Sequence, residues 1–265
     1  MKKRNIITSI LLLSTLFVAC KKDGIHEVET INTDNGALVK FFNFGVNAPS
    51  MNFYANDQKV SATLSGTGVE ATAGVNYGSV FPAANYLLLT AGNYTFKGVI
   101  SSTATTNPNA VVATITGNLE NGKAYSLYTS GQYDETTKQV EGFVVEDAIP
   151  AANATTAHVR FVNTISNATS GFDLVAKNTT TAAEIVIASN IGYKTASTFV
   201  EVPNGVYELY ARYPGNATNV ISRNGTSNVS FISGRAYTIS SRGDMTVTGA
   251  TATNRPFLDN TSNRP

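Results

Sequence analysis

The chain repeats itself, and two copies of one strand pattern must build one architecture twice. Ala37-Leu-Val39-Lys40-Phe41-Phe-Asn43 returns as Ala157-His-Val159-Arg160-Phe161-Val-Asn163, 120 residues later. Three further echoes follow in the same order. Asn76-Tyr-Gly78 matches Asn190-Ile-Gly192, and Ala91-Gly92-Asn93-Tyr94 matches Asn204-Gly205-Val206-Tyr207. Gly122-Lys123-Ala124-Tyr125-Ser126-Leu127 matches Gly234-Arg235-Ala236-Tyr237-Thr238-Ile239. The offset drifts only from 120 through 114 and 113 to 112, as expected when loops change length and strands stay in place. The join falls in the small, turn-forming stretch 147–156. The chain thus reads as tandem domains over 36–148 and 157–250, with a polar tail over 251–265.

The pattern inside each copy is β. Leu38 to Phe42, Tyr94 to Ile100, Val140 to Val145, Phe199 to Val202 and Val206 to Tyr213 are rich in β-branched and aromatic residues. Gly, Asn, Pro and Asp punctuate these runs at short intervals, and no helical stripe of period 3.6 interrupts them. The fold class expected is all-β, as two tandem immunoglobulin-like sandwiches. Leu119-x-x-Gly122-x-x-Tyr125 resembles the tyrosine corner of such sandwiches, with Phe231-x-x-Gly234-x-x-Tyr237 as its second copy. There the first residue enters the core, glycine turns the chain and the tyrosine hydroxyl returns to the backbone. The Val-Lys/Arg-Phe-x-Asn run, the Gly-x-Tyr strand start and the Gly-x-x-Tyr strand together resemble domain-of-unknown-function family 4397 (DUF4397). That resemblance implies tandem domains in secreted or lipid-anchored bacterial proteins, and it implies no activity. An Asp usual before the second strand's aromatic is Asn52 in copy one and Asp173 in copy two.

The first 35 residues read as an address and a tether. Lys2, Lys3 and Arg4 precede an apolar run from Ile6 to Ala19, 14 residues long and too short to span a bilayer. Ala19 before Cys20 resembles the lipobox of bacterial lipoproteins, with Phe17 in place of the usual aliphatic residue. Residues 1–19 would be the signal peptide, cleaved between Ala19 and Cys20, with the lipid carried on Cys20. Residues 20–35 would be a lipidated tether, and Lys21-Lys22-Asp23 resembles the surface-export signal of Bacteroidetes lipoproteins. The expected location is the outer membrane, on the cell surface rather than the periplasmic face.

Charge and cysteine usage exclude several classes of function. Three of the 19 basic residues lie in the leader, which leaves 16 against 18 acidic, a net of −2. No basic excess remains for nucleic acid. Cys20 is the single cysteine, so no disulfide framework exists. Nucleophilic catalysis needs a base, and His158 stands alone beside Val159 while His26 lies in the tether. Zinc has no Cys or His cluster to use. The acidic pairs Asp134-Glu135 and Glu146-Asp147 lack calcium-loop spacing and read as solvated loop charge, unmatched in the other copy. Gly66-Thr-Gly68 has no strand-to-helix context for cradling phosphate. No cofactor, metal or catalytic residue is expected. The chain reads as a non-enzymatic envelope protein that binds a glycan or a protein. A structural or accessory subunit of an envelope complex is the alternative, and a carbohydrate hydrolase a remote one.

Overall fold

The computed structural model describes residues 36–61 and 73–264, all within one unit, Thr33–Pro265. The expected signal peptide, the expected tether with Cys20 and His26, and Gly66-Thr-Gly68 lie outside the described residues. The first copy contributes β1 (Ala37–Asn43), β2 (Asn52–Ala55), β3 (Gln58–Lys59), β4 (Ser79–Phe81) and β5 (Leu87–Leu89). It continues with β6 (Gly92–Val99), β7 (Val111–Leu119), β8 (Ala124–Asp134) and β9 (Gln139–Glu146). The second copy begins with β10 (Thr156–Asn163), β11 (Phe172–Asn178), β12 (Glu184–Ile191), β13 (Thr195–Ala196) and β14 (Val200–Pro203). It ends with β15 (Gly205–Arg212), β16 (Asn219–Arg223), β17 (Val229–Phe231), β18 (Ala236–Arg242) and β19 (Phe257–Arg264).

The two copies share one topology. In the first, one sheet runs β4-β1-β8-β9, with β5 pairing the other half of β1, and a second sheet runs β3-β2-β6-β7. In the second copy these become β13-β10-β18-β19, with β14 on β10, and β12-β11-β15-β16, with β17 on β15. In both, the opening strand runs parallel to the penultimate one: Val39 pairs with Tyr125, and Val159 with Tyr237. The expected immunoglobulin-like sandwiches are what form.

Strand alternation divides the residues between faces. Ala37, Val39 and Phe41 of β1 point inward with Phe53, Phe96, Ile115 and Leu127 to form one core. Ala157, Val159 and Phe161 of β10 do the same with Phe172, Leu174, Leu209 and Ile239. The tyrosine corners close as the motif requires. Tyr125 Oη accepts the Glu120 amide at 3.2 Å, and Tyr237 Oη accepts the Ile232 amide at 3.3 Å. Leu119 and Phe231 are buried, and Gly122 and Gly234 take φ of +74° and +81°, where a side chain would be strained.

Residues 251–265, expected from composition to be a polar tail, instead supply the last strand of the second sandwich. β19 pairs with β18 from Arg242↔Phe257 to Ala236↔Arg264, as β9 pairs with β8. A longer connection precedes it, and its outward positions Asp259, Thr261 and Asn263 face polar surroundings, so it lacks the apolar alternation that marks a strand.

Candidate functional site

The even-numbered residues of β1 and β10 should face solvent, yet Lys40 and Arg160 are 0% and 2% exposed. They are buried because the outer faces of the β1 and β10 sheets pack against each other. Tyr128, Phe42 and Phe44 meet Val162 in an apolar cluster that joins the copies. Register makes this seam an approximate two-fold. Tyr128 and Ser240 occupy equivalent positions and share a hydrogen bond at 3.2 Å. Lys40 Nζ donates to the Ser262 carbonyl at 2.7 Å, and Arg160 Nη1 to the Glu146 carbonyl at 3.0 Å. Ser262 and Glu146 are themselves equivalent, facing Tyr237 and Tyr125.

Asp147 follows Glu146 as Asn263 follows Ser262. Ser126 Oγ donates to Asp147 at 2.7 Å, and the equivalent Thr238 Oγ1 donates to Asn263 at 2.7 Å. Asp147 also pairs with Arg160 Nη2 and accepts the Tyr86 hydroxyl at 2.7 Å. Arg160 is completed by Thr238 Oγ1 at 2.9 Å and by the Phe199 ring at 4.9 Å. Lys40 gives a second bond to the Ala84 carbonyl at 2.8 Å and lies 4.9 Å from the Tyr86 ring centre. Burial pulls the Lys40 ammonium down to about 8, against a smaller opposing pull from Asp147. Burial, with Asp147 beside it, holds the Tyr86 hydroxyl far above the ordinary phenol range. The polar groups of this cluster are partnered and mostly buried, and they tie the two sandwiches together.

This placement corrects the expectation for Glu146-Asp147. Glu146 is an exposed carboxylate 3.1 Å from Lys123, but Asp147 is only 3% exposed and has an amide counterpart in the other copy. Asp134-Glu135 does sit at an exposed turn. Backbone amides of Thr137 and Thr136 hold the Asp134 carboxyl below its usual range, and Glu135 pairs with Lys138 at 3.1 Å. His158 is a buried strand residue with Nε2 3.8 Å from the Glu201 carboxylate. Asn52 is buried, and the Asp173 carboxylate accepts the Asn190 amide at 2.7 Å. Among the described residues no three His, Cys, Asp or Glu side chains gather as metal ligands. Among them, too, no helix is long and apolar enough to cross a membrane.

Several accessible concavities open on the described residues, and two of them bring polar side chains of neighbouring strands together. One, of about 580 Å³, runs along the seam between Val145, Glu146 and Pro150 of the first copy and Arg160, Lys194 and Phe199 of the second. Its cations are already engaged, Arg160 by Asp147 and Lys194 by Glu141 at 2.9 Å. The other, of about 400 Å³, opens on the first copy alone, between Asn56, Asn93, Tyr94, Thr95, Thr116 and Asn118. β6 and β7 place Asn93 opposite Asn118 and Thr95 opposite Thr116. Asn56 Oδ1 accepts the Thr95 amide at 3.0 Å and so fixes the rim. These residues were not expected from the sequence as a site. The polar alternation of Asn93 and Thr95, and of Thr116 and Asn118, is visible there, but the register that pairs the two strands is not.

Comparison with known proteins adds a family. The sequence matches no curated protein. Among solved structures it is similar to the TIE protein of Bacillus anthracis, with 11% identity, 79% of this chain and 34% of that one covered, and a TM-score of 0.24. The chain therefore spans about a third of that protein's length. It is also similar to an alpha-glucan-binding streptococcal virulence factor, with 10% identity, 77% and 92% coverage and a TM-score of 0.20. A Bacteroides ovatus protein assigned to cell adhesion gives 10% identity, 87% and 98% coverage and a TM-score of 0.21. At such scores the likeness says nothing of what this chain binds. The family described as Domain of unknown function (DUF4397) matches residues 37–174.

Proposed function

The chain belongs to the DUF4397 family, and on that premise we propose that it is a non-enzymatic, lipid-anchored binding module of the outer membrane, presented at the cell surface. The observation that carries this reading is the seam. Its buried ionisable groups are spent on joining two sandwiches, so the chemistry left to the outside is that of hydrogen-bonding surfaces and shallow grooves. A glycan or a surface protein is the class of ligand such a body would take.

Exposed large apolar residues support binding over a fixed place in a complex. They fall in both copies, Leu88 and Val111 in the first and Val186, Val206 and Ile232 in the second, whereas a permanent partner calls for a patch on one. Anchoring rests on Cys20, where each buried methylene of an acyl chain contributes about 0.8 kcal/mol and several chains hold durably.

Fractionation of cells carrying Cys20→Ala, followed by protease treatment of intact cells carrying the parent chain, tests this. The variant should leave the membrane fraction, and the parent should be digested without lysis. A variant that stays in the membrane removes the anchor. Protection of the parent until lysis removes the surface assignment.

A further inference from the structure

We propose that the groove between β6 and β7 of the first copy is a site for a neutral glycan. Its rim carries Asn56, Asn93, Thr95, Thr116 and Asn118, and none of the described residues that line it is charged. Each amide offers a paired donor and acceptor and each hydroxyl offers both at once, which is the pattern that vicinal sugar hydroxyls complement. An anionic or cationic ligand would find no counter-charge among these residues.

The second copy shows that this set is not dictated by the fold. Tyr94 and Tyr207 are equivalent, each donating its hydroxyl to a carbonyl four residues back at 2.9 Å. In the second copy the ring is 1% exposed and packed on Phe231, and in the first it is half-buried and stacked on Phe96, so both rings turn to the core and leave the outer face to their neighbours. Register places Val206 where the first copy has Asn93, and Glu208 where it has Thr95. Lys177, opposite Glu208, stands close to the place of Asn56. The second copy sets a valine and opposite charges at this corner; the first keeps it neutral, lined by amides and hydroxyls.

The site rests on the binding reading above and is tested apart from it. The full-length lipoprotein in detergent is run through gels containing dextran, laminarin or mannan, with alginate as an acidic polymer. The expected result is retardation by a neutral polymer. Asn93→Val/Thr95→Glu, which writes the second copy's residues into the first, should weaken it at least about tenfold, the size of one or two good hydrogen bonds. Glu135→Gln at the exposed turn after β8 should leave it unchanged. Retardation that survives Asn93→Val/Thr95→Glu overturns the site, as does indifference to all three neutral polymers. Retardation by alginate alone also overturns the site while leaving the binding reading intact. Indifference to every polymer, together with failure of the intact chain to adhere to any cell surface, would defeat both.

Discussion

Removing the Asp147 carboxylate should unlock the two sandwiches. The side chain accepts from Arg160, from Ser126 Oγ and from Tyr86 Oη, and it is 3% exposed. Asp147→Ala leaves a guanidinium that is 2% exposed facing no opposite charge, a loss worth about 3–5 kcal/mol. For a unit of this length each kcal/mol moves the melting temperature by roughly 2–4 °C, so the shift should be about 6–20 °C downward. Differential scanning calorimetry should also show the single transition broadening or dividing, since the residues lost are those that couple the copies. Asp147→Leu/Arg160→Met removes both charges together and should recover most of the loss, because an apolar replacement of a buried pair is often close to neutral. A single variant that melts within about 3 °C of the parent would refute the burial argument. So would a double variant as unstable as the sum of its singles, since the coupling between the two residues would then be nil.

Two further outcomes follow from groups already described. Lys40 loses its proton from about pH 8 in the folded chain against 10.5 when free, so the unfolded chain holds more protons across that interval. Stability should therefore rise from pH 8 to 10.5, by roughly 1–3 kcal/mol after allowance for partial hydration, and Lys40→Met should flatten the rise in urea titrations. Tyr125→Phe and Tyr237→Phe remove equivalent bonds of 3.2 and 3.3 Å, so each should cost about 0.5–1.5 kcal/mol and the two costs should agree; a marked inequality would mean that the corners are not equivalent in the folded chain.

Much of the architecture was legible because the repeat compares the chain with itself. Residues that serve the sandwich interior, such as Val39 and Val159 or Tyr125 and Tyr237, keep type and spacing and announce their equivalence. The seam was not legible. Lys40 and Arg160 look like ordinary outward strand charges, and only the packing of two sheets face to face buries them. Asp147 and Asn263 differ in type and follow connections of different length, so nothing in the sequence aligned them. β19 escaped for a related reason: its outward face meets a polar interior, and Asp259, Thr261 and Asn263 imitate a solvated tail. The neutral groove needs the register of β6 on β7, which residue order alone does not supply.

The approximate two-fold at the seam has a consequence for how this surface can change. Two identical chains meeting on an axis must carry every substitution twice, so an acid near the axis would confront its own copy. Covalent fusion lifts that obligation. Asp147 holds one side, and on the other Asn263 points its amide nitrogen at the same Tyr86 hydroxyl, at 2.6 Å. A second carboxylate there would repel the first. One acid thus serves two buried cations, Lys40 and Arg160, an asymmetry available to a tandem chain and closed to a pair of separate, identical ones.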